Sequence, residues 1–137
     1  MKVRRVGFVG TRTANVRATE AFFRDVLGLD SRRSDPDWAI LQLPTGPFDF
    51  VEVYGPGFED ERLAPSEAGL FVAFVVEDLE EAHSEIRAAG FEVGELVWAE
   101  DAFAQPAFKG VGWFFVRAPD GNLYCIEQAP SAPSARA

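Results

Sequence analysis

Few residues in this chain can carry chemistry alone. There is one histidine, His83, and one cysteine, Cys125, beside 22 acidic and 13 basic residues in a chain of 137. A single cysteine excludes an intrachain disulfide framework and any multi-cysteine zinc site. A cysteine nucleophile would need a neighbour that lowers its pKa; without one, Cys125 reads as a small buried hydrophobe. The aromatic residues say more. Thirteen Phe and three Trp supply both core volume and flat walls for an organic ligand. The net charge of −9 argues against a nucleic-acid partner, which needs a concentrated basic face. It fits either plain solubility or a field that attracts a cationic small molecule.

These residues are positioned by a repeating set of elements. The stretch 71–90, FVAFVVEDLEEAHSEIRAAG, reads as strand, cap and helix. Leu70 to Val76 is apolar on both faces, as in a strand covered on both sides. Asp78 with Glu81 forms a D-x-x-E capping arrangement, and Gly90 ends the helix. His83 falls inside this helix, off the strands, as a solvated residue. The first half has the same order: a strand at Val3 to Arg12, an N-cap at Asn15, a helix from Val16 to Leu27, and Gly28 as its terminating glycine. Val16, Phe22, Phe23, Val26 and Leu27 are expected on its apolar face. Phe8 to Phe71 and Asn15 to Asp78 share one offset of 63 residues, the mark of an internal repeat. Further strands are expected near Leu29 to Arg33, at Trp38 to Leu43 and at Phe48 to Tyr54. In the second half they are expected at Glu92 to Val97, Val111 to Arg117 and Leu123 to Gln128, with a turn at Ala118 to Asn122. Both halves therefore read βαβββ, over about 3–54 and 70–128, within one α+β domain spanning 1–128. Residues 55–69, rich in Gly, Pro and charge, read as a connector, and 129–137 as a disordered tail. No apolar run approaches the roughly 18 to 20 residues needed to cross a bilayer, and the opening MKVRR leads into a strand rather than a secretion signal. A cytoplasmic protein without a membrane partner is the expectation.

Three segments carry a family resemblance: Ala21-Phe-Phe-Arg-Asp-Val-Leu-Gly-Leu, Val76-Glu-Asp-Leu-Glu-Glu-Ala, and Ala118-Pro-Asp-Gly-Asn-Leu-Tyr-Cys-Ile-Glu. In this order, on a repeated half, the chain resembles the vicinal oxygen chelate superfamily, which includes glyoxalase I, extradiol dioxygenases, fosfomycin-resistance enzymes and bleomycin-binding proteins. The resemblance implies two βαβββ modules curling into one cupped mixed sheet, a ligand cavity on its concave face, and a homodimer. It also implies where metal ligands stand in the metal-dependent members, on the first and last strand of each module. Those positions fall on Phe8, Glu52, Phe71 and Cys125. Phenylalanine has no lone pair to donate, and Glu52 with Cys125 makes a poor divalent site. No metal and no cofactor are expected.

Alternation along the strands extends the implied cavity. Val6 and Gly10 follow Phe8, Ala73 and Val75 follow Phe71, Phe50 and Tyr54 follow Glu52, and Leu123 and Glu127 follow Cys125. Trp38, Trp98, Trp113, Phe103 and Phe108 are candidate walls, the last two in a loop, 99–110, able to close over the mouth. The resulting candidate site is Phe8, Trp38, Phe50, Glu52, Tyr54, Phe71, Trp98, Phe103, Phe108, Trp113 and Cys125. It suits a small aromatic or cationic organic molecule, held by a metal-independent binding protein of the bleomycin-resistance kind. The alternative is a glyoxalase-like lyase or isomerase, or a dioxygenase, with substituted metal ligands or with Glu52 as general base. A third reading is a scaffold in which Phe8 and Phe71 fill the space themselves.

Overall fold

A computed structural model of the chain describes residues 1–67 and 69–130; the expected tail beyond Pro130 lies outside the described residues. One eight-stranded sheet runs in the order β2-β3-β4-β1-β5-β8-β7-β6. The strands are β1 (Val3–Arg12), β2 (Asp30–Asp35), β3 (Trp38–Gln42), β4 (Phe50–Tyr54), β5 (Leu70–Val76), β6 (Val97–Trp98), β7 (Gly112–Arg117) and β8 (Leu123–Gln128). Helices α1 (Val16–Ala21) and α2 (Leu79–Ala88) follow β1 and β5, and a short α3 (Ala99–Phe103) follows β6. Each half is thus a βαβββ unit. The two units join where β1 and β5 run antiparallel. Each unit's first and last strands pair parallel, β1 with β4 and β5 with β8.

The 63-residue repeat is visible in the register. Gly10 pairs with Glu52 across β1 and β4, and the residue one repeat later, Ala73, pairs with Cys125 across β5 and β8. Phe8 faces Ala73 and Gly10 faces Phe71 in the central antiparallel pair, as a local two-fold between the units requires.

Several expected elements differ in detail. The first helix changes at Phe22 into a π-helical turn, Phe22–Val26. The wider turn moves side chains off the 3.6-residue period. Phe23 stays packed against Val16, Ala39, Leu41 and Val53, whereas Phe22, Val26 and Leu27 are exposed. Asn15 makes no side-chain cap, while Asp78 Oδ1 accepts the Glu81 backbone N–H at 3.0 Å as expected. The strand expected at Glu92 to Val97 is reduced to a single bridge between Val93 and Val116, with pairing resuming only at Val97–Trp98. The 99–110 segment holds α3 and a 3-10 turn at Pro106–Phe108.

Helices cover one face of the sheet. Leu79 and Ala82 of α2 pack on Val76, Phe114, Val116 and Ile126, and α1 seals the other half. The opposite, concave face is covered by the chain's own connector. Phe58, Leu63 and Ala64 pack onto it beside Phe8, Tyr54, Phe71 and Trp113. Arg12, at the end of β1, holds the connector there by donating to the carbonyl oxygens of Gly55, Phe58, Ala64 and Pro65. Trp113 Nε1 adds a bond to the Arg62 carbonyl at 2.7 Å. Residues 55–65 are therefore a fastened cover as well as part of the connection. Among the described residues, no helix is long and apolar enough to cross a membrane.

Removing a donor that serves several buried carbonyls leaves each of them to find water, at about 1–3 kcal/mol in all. Arg12→Met is expected to lower unfolding stability by that amount in urea titration and to speed proteolytic cleavage within 55–67. A cleavage rate equal to wild type would show that the cover does not depend on Arg12.

Candidate functional site

The concave face brings most of the sequence-derived site together. Phe8, Tyr54, Phe71, Trp113 and Cys125 are buried in one cluster, with Trp38, Phe50 and Phe103 partly buried against it. Phe8 and Phe71 meet edge to face, ring centres 5.9 Å apart at 86°. Phe71 is stacked with Tyr54 at 6.3 Å and touches Phe115 edge-on at 5.4 Å. This packing depends on Gly10: a Cβ there would lie 2.3 Å from the Phe71 ring.

Glu52 lies at the edge of this aromatic group. Its Oε1 accepts from Tyr54 OH at 2.8 Å and Trp38 Nε1 at 3.2 Å. Strand pairing sets this up, because Trp38 is opposite Tyr54 and Ile40 opposite Glu52, so all three polar groups project from one face. Loss of hydration raises the Glu52 pKa, and the two donors only partly oppose it. Burial, then the Glu52 charge, pushes the Tyr54 hydroxyl well up. The Cys125 thiol, wholly buried, is likewise pushed well up by burial and by Glu127 and Glu52. That is the opposite of what a thiolate nucleophile needs.

Two of the expected walls lie elsewhere. Trp98 packs on the helix side, with the cluster around Leu79 and Phe114, because its strand neighbour Val97 takes the concave face. Phe108 is exposed and reaches the site only through Phe103, which itself lies against Trp113 at 6.3 Å. His83 is on α2, its Nε2 bonded to the Gly94 carbonyl oxygen and its ring against Phe114.

A bulge in β1 changes the expected parity. The register with β5 slips between Val6 and Phe8, so Val6 is exposed and Arg5, opposite Val75, takes the inward place. Arg5 Nε donates to Asp49 Oδ1 at 3.1 Å. Gly7, in the bulge, lies against Glu127, where a Cβ would stand 1.5 Å from Oε1. Glu127 and Asp49 are buried, and among the described residues Glu127 Oε1 and Asp49 Oδ2 have no hydrogen-bond partner. Burial, and then the Glu52 charge, lifts the Glu127 pKa to about 8, with Arg5 opposing. This charged end of the cup was not evident in the sequence beyond the inward parity of Glu127. A glycine in a strand is the one local signal of the bulge.

The four positions at which the resemblance implies metal ligands are therefore two contacting phenyl rings, a carboxylate held by Tyr54 and Trp38, and a protonated thiol. Among the described residues, no group of three or more His, Cys, Asp and Glu is arranged to hold a metal ion. The donor set does not fit a divalent centre.

Comparison with known proteins agrees with this architecture. The family model of the Glyoxalase/Bleomycin resistance protein/Dioxygenase superfamily matches residues 5–126, and the chain belongs to that superfamily. No curated protein sequence matches it. Among solved structures, it is similar to a glyoxalase/bleomycin resistance protein/dioxygenase superfamily member from Vibrio splendidus 12B01, with 21% identity over 90% of this chain and 97% of that one and a TM-score of 0.59. It is also similar to Streptomyces coelicolor methylmalonyl-CoA epimerase in complex with 2-nitronate-propionyl-CoA, at 20% identity, 97% and 99% coverage and a TM-score of 0.66. The Mn(II)-bound glyoxalase from Novosphingobium aromaticivorans matches at 19% identity with a TM-score of 0.66, over 98% of this chain and 43% of that one. At these identities the likeness is one of fold.

The Glu127 carboxyl gives a pH signature. Its folded pKa of about 8 lies above the ordinary 4.5, so the folded state holds the proton more tightly than the unfolded chain. The stability it contributes is complete below about pH 4.5 and is lost as pH rises through 8, on the order of a few kcal/mol. Glu127→Gln, which cannot ionise, is expected to gain stability over wild type progressively from pH 5 to pH 9 in denaturant titrations. A difference independent of pH would contradict the assignment.

Proposed function

We propose that this protein binds small organic molecules without a metal, in the manner of the bleomycin-resistance branch of its superfamily. The observation that carries the proposal is the edge-to-face contact of Phe8 and Phe71 at the positions where metal-dependent relatives keep ligands. Two buried rings fill these positions and offer no lone pair, and the two remaining positions are a hydrogen-bonded glutamate and a fully buried cysteine. The abundance of aromatic residues and the net charge of −9 favour flat molecules and cationic ones.

An isomerase with Glu52 as general base is the second reading, favoured by the raised pKa of that residue. It requires the connector to lift, since Glu52 lies under Trp38, Tyr54 and the Phe58 that packs on both rings.

Tryptophan fluorescence in EDTA, titrated with bleomycin and a panel of planar natural products, tests the proposal. Saturable quenching by at least one compound, unchanged when Mn(II) or Zn(II) replaces EDTA, is expected. Quenching that appears only with added metal would overturn it. The ligand recovered from deuterated solvent is expected to carry no deuterium; label lost on Glu52→Gln would instead establish the isomerase.

A further inference from the structure

Beside the closed aromatic cluster lies an open groove of about 350 Å3, between the connector, the segment leading into β6, and β7. Its inner side is apolar. Val97, Trp113 and Phe115 face it from β6 and β7, and Leu123 from β8. The indole of Trp113 is almost wholly buried and donates to the Arg62 carbonyl, which orients its edge toward the groove. Phe115 is held edge-on against Phe71. The rim is acidic: Glu61, Glu67, Glu92 and Glu95 line it against Arg62 and Arg117. Both arginines are already engaged by carboxylates. Arg62 is paired with Asp60 at 2.9 Å, and Arg117 with Glu67 and, at 3.5 Å, Glu92. The field that an entering ligand meets is negative.

We infer that this groove is the ligand site, and that it takes a planar organic cation with its ring against Phe115 and the edge of Trp113 and its charge toward Glu95 and Glu61. The inference rests on the metal-independent binding reading and gives it a place and a ligand chemistry. The groove lies outside the four positions of the family's metal centre, so binding there does not require the buried cluster to open. An aromatic wall with surrounding carboxylates attracts a cation both through the ring quadrupole and through charge, and a neutral molecule of the same shape gains only the apolar part. The Arg117 to Glu67 pair closes one end, separating this groove from a second one over Leu70, Val72 and Tyr124, and so limits ligand length.

Calorimetric titration with 10-methylacridinium and with neutral acridine at pH 8 tests the inference, because the two share a shape and differ in charge. The cation is expected to bind one per chain, at least fivefold tighter than acridine. Glu95→Gln is expected to weaken the cation roughly two- to fivefold and leave acridine unchanged, as loss of one exposed charge does. Phe115→Ala is expected to weaken both at least tenfold, with folding checked by circular dichroism; should that variant misfold, Glu95→Gln decides alone. Equal affinity for the two probes, no binding of the cation, or cation binding indifferent to Glu95→Gln would overturn the inference. Saturable binding of other compounds in EDTA would leave the broader reading standing in that event.

Discussion

The centre of this molecule is the contact between two phenylalanine rings across the seam of its two halves. Phe8 and Phe71 stand one repeat apart, on the two central antiparallel strands, and meet edge to face. Such a pair adds about 0.5–1.5 kcal/mol beyond the area it buries. Its geometric demands reach further. Gly10 must lack a side chain so that the Phe71 ring can lie over it, Tyr54 stacks on the same ring, and Phe115 closes its far edge. Two positions at which the family resemblance implies metal ligands are here the packing centre of the concave face.

Once that face is apolar, the rest of its chemistry is constrained. The connector can lie on it, because Phe58, Leu63 and Ala64 bury against aromatic rings, and Arg12 satisfies the carbonyls that the irregular backbone would otherwise leave unpaired. Polar groups survive only at the margins. Glu52 is kept by two ring donors, while Glu127 is protonated at neutral pH by burial and a neighbouring carboxylate. Burial makes each costly to ionise. The accessible chemistry moves outward, to the groove where Trp113 and Phe115 meet an acidic rim.

Most of the fold could be read from the chain. Asp78 and Glu81 at a helix start and Gly28 and Gly90 at helix ends are local signals with local causes, and the 63-residue offset reappears where Gly10 pairs with Glu52 and Ala73 with Cys125. The placement of Phe8, Glu52, Phe71 and Cys125 on one face was legible only through the family resemblance, counted from the helix starts. What could not be read were effects of non-local geometry. One bulged residue turned Val6 outward and Arg5 inward, a π turn exposed Phe22, Val26 and Leu27, and Trp98 took the helix side because a two-residue strand fixed its parity. The connector had no period to reveal that its few apolar residues pack, since a cover needs contact rather than regular spacing.

The side chains at the four positions where the resemblance implies metal ligands, Phe8, Glu52, Phe71 and Cys125, do not make a divalent site. Crystals soaked in Mn(II) and then in Zn(II), measured at each absorption edge, test this directly. The expected result is no anomalous peak within coordination distance of Glu52 and Cys125, with the Phe8 and Phe71 rings in contact. A peak bonded to Glu52 or Cys125, with the rings displaced to admit it, would contradict the account.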